Sequence, residues 1–324
     1  MKTVIVLCVS VLRFHLLRAS VAAAVALTLA TGCSSSQTKT SAPSGAPGAP
    51  SASGSTAAAS CPTAPVPVVV SVDQWGDIVS ELGGGCANVK TVLASSSVDP
   101  HDYEPSPADA ASFTGAKLVV VNGAGYDSWA SKLAASSASG ADVLSAAAIT
   151  KTPDGANPHL WYLPSAVTAE LSKLDPQAGD YFGQRRSQFT AALAPYNGAI
   201  AKIKAAAAGK SYAATETIFD YQAQAMSLVN KTPVGYQRAT ANESDPSPAD
   251  LDAFRTALAS HQVDVLIYNT QTEGSIPQQI RSAAEQAGVP VVNLTETVPP
   301  GQTSFEGWQY AQLAALGKAL GVAV

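Results

Sequence analysis

The sequence DPHDYEPSP at residues 99–107 joins a histidine that lies between prolines to a strong start for a helix. Pro100 favours an extended conformation for Asp99, so the chain is expected to pass His101 as a loop. Ser106 is a favoured N-cap residue, and the proline after it suits the first position of a helix. The stretch therefore predicts a histidine that is held on a stiff loop directly before a helix.

The same helix start occurs a second time in the chain. Residues 104–113 (EPSPADAASF) match residues 245–254 (DPSPADLDAF), and an apolar strand is expected after each copy. A Pro-Ser-Pro turn alone is common, but the shared context favours an internal duplication. We therefore expect two similar lobes.

Strand and helix patterns alternate through both halves of the chain. The β-branched run at 66–72 is typical of a strand that is buried on both faces, and Asp73 is expected to cap the helix after it. Such alternation predicts an α/β fold in which each lobe is a parallel β-sheet flanked by helices. The other strands are expected at 89–93, 117–121 and around 143–144, and then at 211–215, 263–268 and 290–294.

A second histidine loop follows the expected strands of the first half. Residues 157–161 (NPHLW) again place a proline directly before a histidine, His159. A single Pro-His pair is commonly a structural turn, but the chain has only 4 histidines, and two of them lie in such loops. This favours His101 and His159 as ligands. His15 lies in the N-terminal segment, and His261 is expected in a solvated turn.

The sequences PHDYEPSP and PHLW resemble the metal-binding lipoproteins of zinc and manganese ABC importers, the zinc-uptake periplasmic-binding-protein-like family. The resemblance extends from residue 67 to the C-terminus. It implies a receptor of the helical-backbone type, with one long helix joining the lobes, here at residues 176–209. We expect a break or kink near Pro195, because proline cannot continue a helix without disruption. The resemblance also implies that His101 and His159 supply two metal ligands from the first lobe.

Two glutamates follow expected strands of the second lobe, where open parallel sheets bind their ligands. Glu216 occupies the position that resembles the third ligand of the family, and Glu296 lies where the family usually has aspartate. Asp220 is a reserve acid near Glu216. Two imidazoles and two carboxylates suit manganese, zinc or iron(II) better than copper(I) or calcium. The choice between manganese and zinc stays open, and the absence of a histidine-rich loop favours manganese.

The N-terminus has the pattern of an export signal. Residues 1–32 contain an apolar run at 21–30 that is too short to span a bilayer, and they close on the sequence LATGC. This resembles a bacterial lipoprotein cleavage site with Cys33 as the lipidated residue; the alternative is an ordinary secretory signal. Residues 33–60 are almost entirely Ser, Ala, Gly, Pro and Thr, which predicts a flexible tether. The lobes are then expected at 61–175 and 210–324.

Two cysteines remain after the signal and the lipidated residue. In an exported protein Cys61 and Cys86 are expected to form a disulfide, and a metal site built on the two cysteines is the alternative. The formal net charge is −5 and basic residues are not clustered, which argues against a nucleic acid partner. We expect a monomer that contacts the membrane through its lipid alone.

These observations together predict a lipid-anchored, extracytoplasmic solute-binding protein on the bacterial cell membrane. The family resemblance implies that it captures Mn²⁺ or Zn²⁺ as transported ligand and delivers it to an ABC permease with its ATPase. A metal-dependent hydrolase is one alternative, but the sequence has no H-E-x-x-H motif, nucleophile elbow or phosphate-binding glycine loop. A binding protein for an organic solute is the other, with the histidines lining the cleft. We expect no enzymatic activity.

Overall fold

A computed structural model describes residues 60–162, 175–242, 244–272 and 274–324. The signal segment 1–32, the proposed lipidation site Cys33 and the tether up to residue 59 lie outside the described residues. Among the described residues, no helix combines the length and the apolar character that a membrane span requires.

The first lobe is built on a parallel sheet of four strands in the order β2-β1-β3-β4. Every residue of β3 is buried, and so is most of β1, as their continuous apolar runs predict. The strands are β1 (Val66–Val72), β2 (Ala87–Leu93), β3 (Leu118–Val121) and β4 (Asp142–Ser145). The helices of this lobe are α1 (Asp73–Gly83), α2 (Pro107–Ser112), α3 (Ser128–Ser137) and α4 (Ala146–Thr150).

Two consecutive helices, α5 (Gly179–Ala192) and α6 (Ala194–Ala207), follow the first lobe in place of the single long helix that the family resemblance implies. They are separated at Leu193, and Pro195 lies in the first turn of α6. Proline lacks an N–H and its ring crowds the carbonyl of the fourth residue before it, so one helix ends and the next begins. The break expected near Pro195 is therefore present.

The second lobe repeats the first, with strand order β6-β5-β7-β8. This order is the same as in the first sheet, so the structure confirms the expected α/β fold of two similar lobes. The strands are β5 (Ser211–Ala214), β6 (Val229–Asn230), β7 (Val265–Asn269) and β8 (Val291–Leu294). The helices are α7 (Asp220–Met226), α8 (Val234–Ala241), α9 (Pro248–Ala259), α10 (Ser275–Gln286) and α11 (Phe305–Leu320).

The repeated sequence forms the same helix cap in both lobes. Ser106 caps α2 and accepts a hydrogen bond from the backbone N–H of Asp109, whose carboxylate bonds back to Ser106. Ser247 likewise accepts from the backbone N–H of Asp250 at the start of α9. Ser106 and Ser247 are themselves in an extended conformation, and the residues from His101 to Ser106 form a turn and a loop before α2.

The expected cap at Asp73 is wrong. The N-cap of α1 is Val72, which offers no side-chain hydrogen bond, and Asp73 is already inside the helix. The Asp73 carboxylate instead accepts from the backbone N–H of Val298, in the loop after β8, at 3.2 Å. The sequence could not indicate this partner, because it lies in the other lobe.

One apolar core joins the lobes, while a second covers one face of the second sheet. Tyr212, Ala214, Val265 and Ile267 belong to the core that is shared with the first lobe and with α6. Ala213 and Leu266, the residues between them, face the second core under α9 and α10. This alternation follows from the two-residue repeat of a strand. The face of the second sheet that carries Tyr212, Ala214, Val265 and Ile267 therefore packs in the core that is shared with the first lobe.

A disulfide joins Cys61 to Cys86, with 5.1 Å between their Cα atoms. It connects the start of the described chain to the end of the turn that follows α1. The disulfide prediction is confirmed, and the alternative of a metal site on these cysteines is excluded.

Candidate metal site

The four predicted ligands come together between the carboxyl ends of the two sheets. One possible ligand atom from each of His101, His159, Glu216 and Glu296 lies within 4.8 Å of those of the other three. His101 lies in the loop after β2 and His159 in the segment after α4, while the glutamates follow β5 and β8. Four segments that are far apart in sequence therefore converge on one point.

The two imidazoles face one oxygen of each carboxylate. His159 Nε2 lies 3.1 Å from Glu216 Oε1 and 3.7 Å from Glu296 Oε2. His101 Nε2 lies 3.9 Å and 3.8 Å from the same two oxygens. The side chains of His159 and Glu296 are 1% and 0% exposed, while those of His101 and Glu216 are 15% and 13% exposed. Atoms at these spacings can surround a single ion whose bonds to nitrogen and oxygen are about 2 Å long.

Asn157 sets the tautomer of His159. The Asn157 amide nitrogen donates to the carbonyl of Thr217, and its oxygen accepts from the backbone N–H of His159, so the amide has one orientation. The same oxygen lies 2.7 Å from His159 Nδ1, which must therefore carry the hydrogen. A neutral His159 then presents the lone pair of Nε2 to the cluster, as a metal ligand requires.

The charges of the cluster are coupled. Burial would lower the pKa of His159, but Glu216 and Glu296 outweigh burial and raise that pKa to about 10. Burial would raise the pKa of Glu216, but its hydrogen bond to His159 and the nearby charges lower it to about 2. Near neutral pH a proton on His159 therefore balances part of the carboxylate charge. A metal cation would have to displace that proton.

Both carboxylates are held by side chains that the sequence analysis did not single out. The Asn269 amide nitrogen donates to Glu216 Oε2 at 2.5 Å and to Glu296 Oε1 at 2.6 Å. Thr272 donates to Glu216 Oε2 at 3.0 Å, and Tyr126 donates to Glu296 Oε2 at 2.9 Å. Burial, followed by the charge of Glu296, raises the pKa of Tyr126 well above its usual range, so its hydroxyl keeps this hydrogen.

The internal duplication was a signal that could have identified Asn269. Asn122 directly follows β3, and Asn269 ends β7, the corresponding strand of the second sheet. Asn122 accepts from the indole N–H of Trp75 at 3.0 Å and donates to the carbonyl of Pro158 at 2.7 Å, next to His159. In both lobes an asparagine at the end of an inner strand, β3 or β7, thus supports the candidate ligands or the loop that carries them.

Three residues of the cluster, His101, His159 and Glu216, line a cavity of about 640 Å³ that extends towards α8 and the start of α10. Its lining includes Asp99, Tyr236, Thr240 and Ile276. Burial, followed by the charge of Glu296, raises the pKa of Asp99 to about 7. An ion could reach the ligands through this cavity without passing through either apolar core.

Two further residues that the sequence analysis named, Asp220 and His261, lie outside the cluster. Asp220 accepts hydrogen bonds from the hydroxyl of Tyr212 at 2.7 Å and from Gln237 at 3.0 Å, and it is not part of the cluster. His261 is exposed, in the turn after α9 with a φ of 53°, as expected for a solvated turn residue. His15 lies outside the described residues.

A family model described as "Zinc-uptake complex component A periplasmic" matches residues 68–319, which is most of the chain. The chain belongs to this family. The zinc-uptake component A family consists of metal-binding transport receptors, so the chain is not an enzyme.

Two curated relatives illustrate the family. The high-affinity zinc uptake system protein ZnuA of Bacillus subtilis is 24% identical over 59% of this chain and 67% of its own length. The manganese-binding lipoprotein MntA of Halalkalibacterium halodurans is 31% identical over 29% of this chain. The match to the manganese-binding lipoprotein covers 32% of its own length.

Solved structures share the fold of this member of the zinc-uptake component A family. The periplasmic zinc binding protein TroA of Treponema pallidum has a TM-score of 0.65 and 18% identity, over 79% of this chain and 99% of that one. The solute-binding protein FpvC of Pseudomonas aeruginosa, solved in complex with Mn²⁺, has a TM-score of 0.66 and 23% identity, over 79% and 98%. At this identity the likeness concerns the fold.

Proposed function

We propose that this chain is a lipid-anchored, extracytoplasmic solute-binding protein that captures Zn²⁺ or Mn²⁺ and delivers it to an ABC importer. In this proposal the ion is bound by four side chains of the described residues: His101, His159, Glu216 and Glu296. The proposal agrees with the names of the curated relatives, one a zinc uptake protein and the other a manganese-binding lipoprotein.

The observation that carries the proposal is the convergence of the four ligand atoms within 4.8 Å. Two neutral nitrogen donors and two carboxylates suit zinc and manganese, whereas copper(I) favours sulfur and calcium favours oxygen alone. The two carboxylate charges would balance a divalent cation without leaving a net charge in the buried site. A histidine with Nδ1 bonded to Asn157 already has the tautomer that metal binding needs.

Each lobe contributes two of the four ligands, which couples metal binding to the closure of the lobes. An ion bound to all four would hold the loops after β2 and α4 against the loops after β5 and β8. Separation of the lobes would remove half of the ligands at once and release the ion. A permease that favours the separated arrangement would therefore obtain the metal, because a partner shifts an equilibrium only through its differential affinity for the two states.

Metal binding by the purified protein tests this function. The chain without residues 1–32 is stripped with a chelator and titrated with Zn²⁺ and Mn²⁺ by calorimetry, and we expect one tight site for at least one of them. His261→Ala, which removes an exposed histidine outside the cluster, serves as the matched control and should bind like the parent. If the stripped parent binds neither ion, the proposed function is wrong; if it binds organic solutes instead, the histidines only line the cleft.

The anchor is tested separately. Cys33→Ser should move the protein from the detergent phase to the aqueous phase after phase separation, because residues 34–60 contain no other membrane-binding feature. Cys8→Ser, a cysteine within the signal, is the control and should leave the partition unchanged. Unchanged partition of the Cys33 variant would refute the lipid anchor and leave the metal site unaffected.

A further inference from the structure

Each glutamate of the cluster turns one oxygen towards the imidazoles and the other away from them. For Glu216 the inner oxygen is Oε1, and the outer oxygen, Oε2, already accepts two hydrogen bonds, from Asn269 and Thr272. For Glu296 the inner oxygen is Oε2, and the outer oxygen, Oε1, accepts from Asn269. Both outer oxygens therefore depend on one asparagine.

The amide of Asn269 is fully committed in this arrangement. Its nitrogen has two hydrogens and donates to two carboxylates. Its oxygen accepts from the backbone N–H of Gln271 at 3.0 Å, so the amide cannot be reversed. The residue is 0% exposed, so an N–H that lost its carboxylate would lie in the protein interior.

We propose that Asn269 is a specificity-determining residue that restricts each glutamate to one ligand atom and thereby selects zinc against manganese. This inference rests on the proposed function. An ion that bound either glutamate through both oxygens would compete with Asn269 for the outer oxygen. It would leave a buried N–H without an acceptor, which is unfavourable.

The restriction has different consequences for the two metals. Zinc is satisfied by four nitrogen and oxygen ligands in a tetrahedron. Manganese favours an octahedral, oxygen-rich shell and would need the outer oxygens or added water to reach it. Four protein ligand atoms, with the outer oxygens engaged by Asn269, therefore match the tetrahedral shell of zinc. This reverses the preference for manganese that the missing histidine-rich loop indicates.

The first test needs no substitution. The stripped protein is loaded with Co²⁺, whose visible absorption is intense in four-coordinate sites and weak in five- or six-coordinate ones. We expect intense bands, together with a dissociation constant for Zn²⁺ well below that for Mn²⁺. Weak bands in a protein that binds Co²⁺ stoichiometrically would overturn the inference.

The second test compares three variants. Asn269→Leu keeps the branched shape of the side chain but removes both donors, and we expect the ratio of the Mn²⁺ to the Zn²⁺ dissociation constant to fall at least about tenfold, with weaker Co²⁺ bands. Thr272→Val removes one donor to Glu216 and should lower the ratio less. Thr270→Val is the matched control, because the exposed Thr270 donates only to the carbonyl of Leu294 and should leave the ratio unchanged.

The outcomes separate this inference from the proposed function. If the parent binds no metal, the function itself is wrong. If the parent binds metal but the Asn269 and Thr272 variants weaken both ions equally, with unchanged Co²⁺ bands, then Asn269 only stabilises the site and the inference is wrong. Should Asn269→Leu fail to fold, the parent spectrum and the Thr272 variant still decide the question.

Discussion

The two lobes share one strand order, but they hold the proposed ligands in different ways. The first lobe presents histidines on proline-led loops, and the contact that orients His159 is made by Asn157, two residues before it. The second lobe presents glutamates close to its strand ends, and Asn269 from the neighbouring strand β7 fixes them both. His159 is thus oriented by a residue of its own loop, and the two glutamates are oriented by a residue from another strand of their sheet.

The chemistry of the ligands explains this difference. A neutral imidazole has one free lone pair, so a single bond to Nδ1 is enough to direct Nε2. A carboxylate has two equivalent oxygens and can rotate, so it needs several donors before it presents only one of them. The duplicated fold has an asparagine at the end of the inner strand β3 and of the inner strand β7, while the loops that carry the proposed ligands differ.

Removal of a ligand from either lobe should have the largest effect. We expect His101→Ala and Glu296→Ala each to weaken Zn²⁺ binding at least about a hundredfold, since loss of a ligand should exceed the effect of losing an orienting contact. Calorimetry measures the affinities, and circular dichroism checks that the fold is retained. If only the first-lobe variant loses affinity, the second lobe does not bind the metal.

The local orientation of His159 should contribute less than a ligand. Asn157→Ala removes the acceptor that holds the hydrogen on Nδ1, and we expect about a tenfold to hundredfold loss of Zn²⁺ affinity. Tyr221→Phe is the matched control, because Tyr221 donates only to the backbone carbonyl of Asn157. Equal losses in the two variants would mean that the loop, and not the tautomer, matters.

Because metal-free His159 is protonated, we expect the affinity for Zn²⁺ to rise steadily with pH. With its pKa raised to about 10 by the two glutamates, metal-free His159 is protonated throughout the neutral range, and each bound ion must release that proton. The dissociation constant for Zn²⁺ should therefore fall up to about tenfold per pH unit between about pH 6.5 and about pH 8.5. Calorimetry in buffers of different ionisation enthalpy should show at least one proton released. A constant affinity across this range would contradict the coupling.

The smallest effect is expected on the stability of the metal-free form. Burial raises the pKa of Asp73 and of Glu81 from the usual range of a carboxyl group to about 7, and the charge of Glu306 is the second cause for Glu81. Between the ordinary pKa of a carboxyl group in the unfolded chain and about 7, the folded state binds more protons than the unfolded state. The free energy of unfolding therefore falls as the pH rises through this range. We expect a higher Tm at about pH 5 than at about pH 7.5.

Glu306→Gln tests the origin of that pH dependence. Glu306, at the start of α11, lies against Glu81 of α1, and removal of its charge should reduce the difference in Tm between the two pH values. Glu285→Gln, which alters an exposed ion pair with Arg281 on α10, is the control and should not change it. A Tm difference that is the same in both variants would assign the effect to burial alone.

Much of the fold and of the candidate site could be predicted from the sequence. The buried run of β1 and the repeated Pro-Ser-Pro caps indicated a duplicated α/β chain, because such signals act within a few residues. His101 and His159 were recognisable from their proline-led loops, and the two glutamates from their positions after strands and their likeness to the family. Pro195 likewise predicted a break between α5 and α6, since the steric effect of proline is local.

The supporting contacts were decided only by the tertiary structure. Asp73, expected as a cap, instead bonds to Val298 in the opposite lobe, and Tyr126 of the first lobe donates to Glu296 of the second. Asn269 corresponds to Asn122 in the duplicated fold, but its effect depends on two carboxylates that its own strand does not contain. Local sequence determines backbone conformation and ligand type, because both arise from neighbouring residues. The choice of which oxygen faces the ion depends on contacts between segments that meet only after folding.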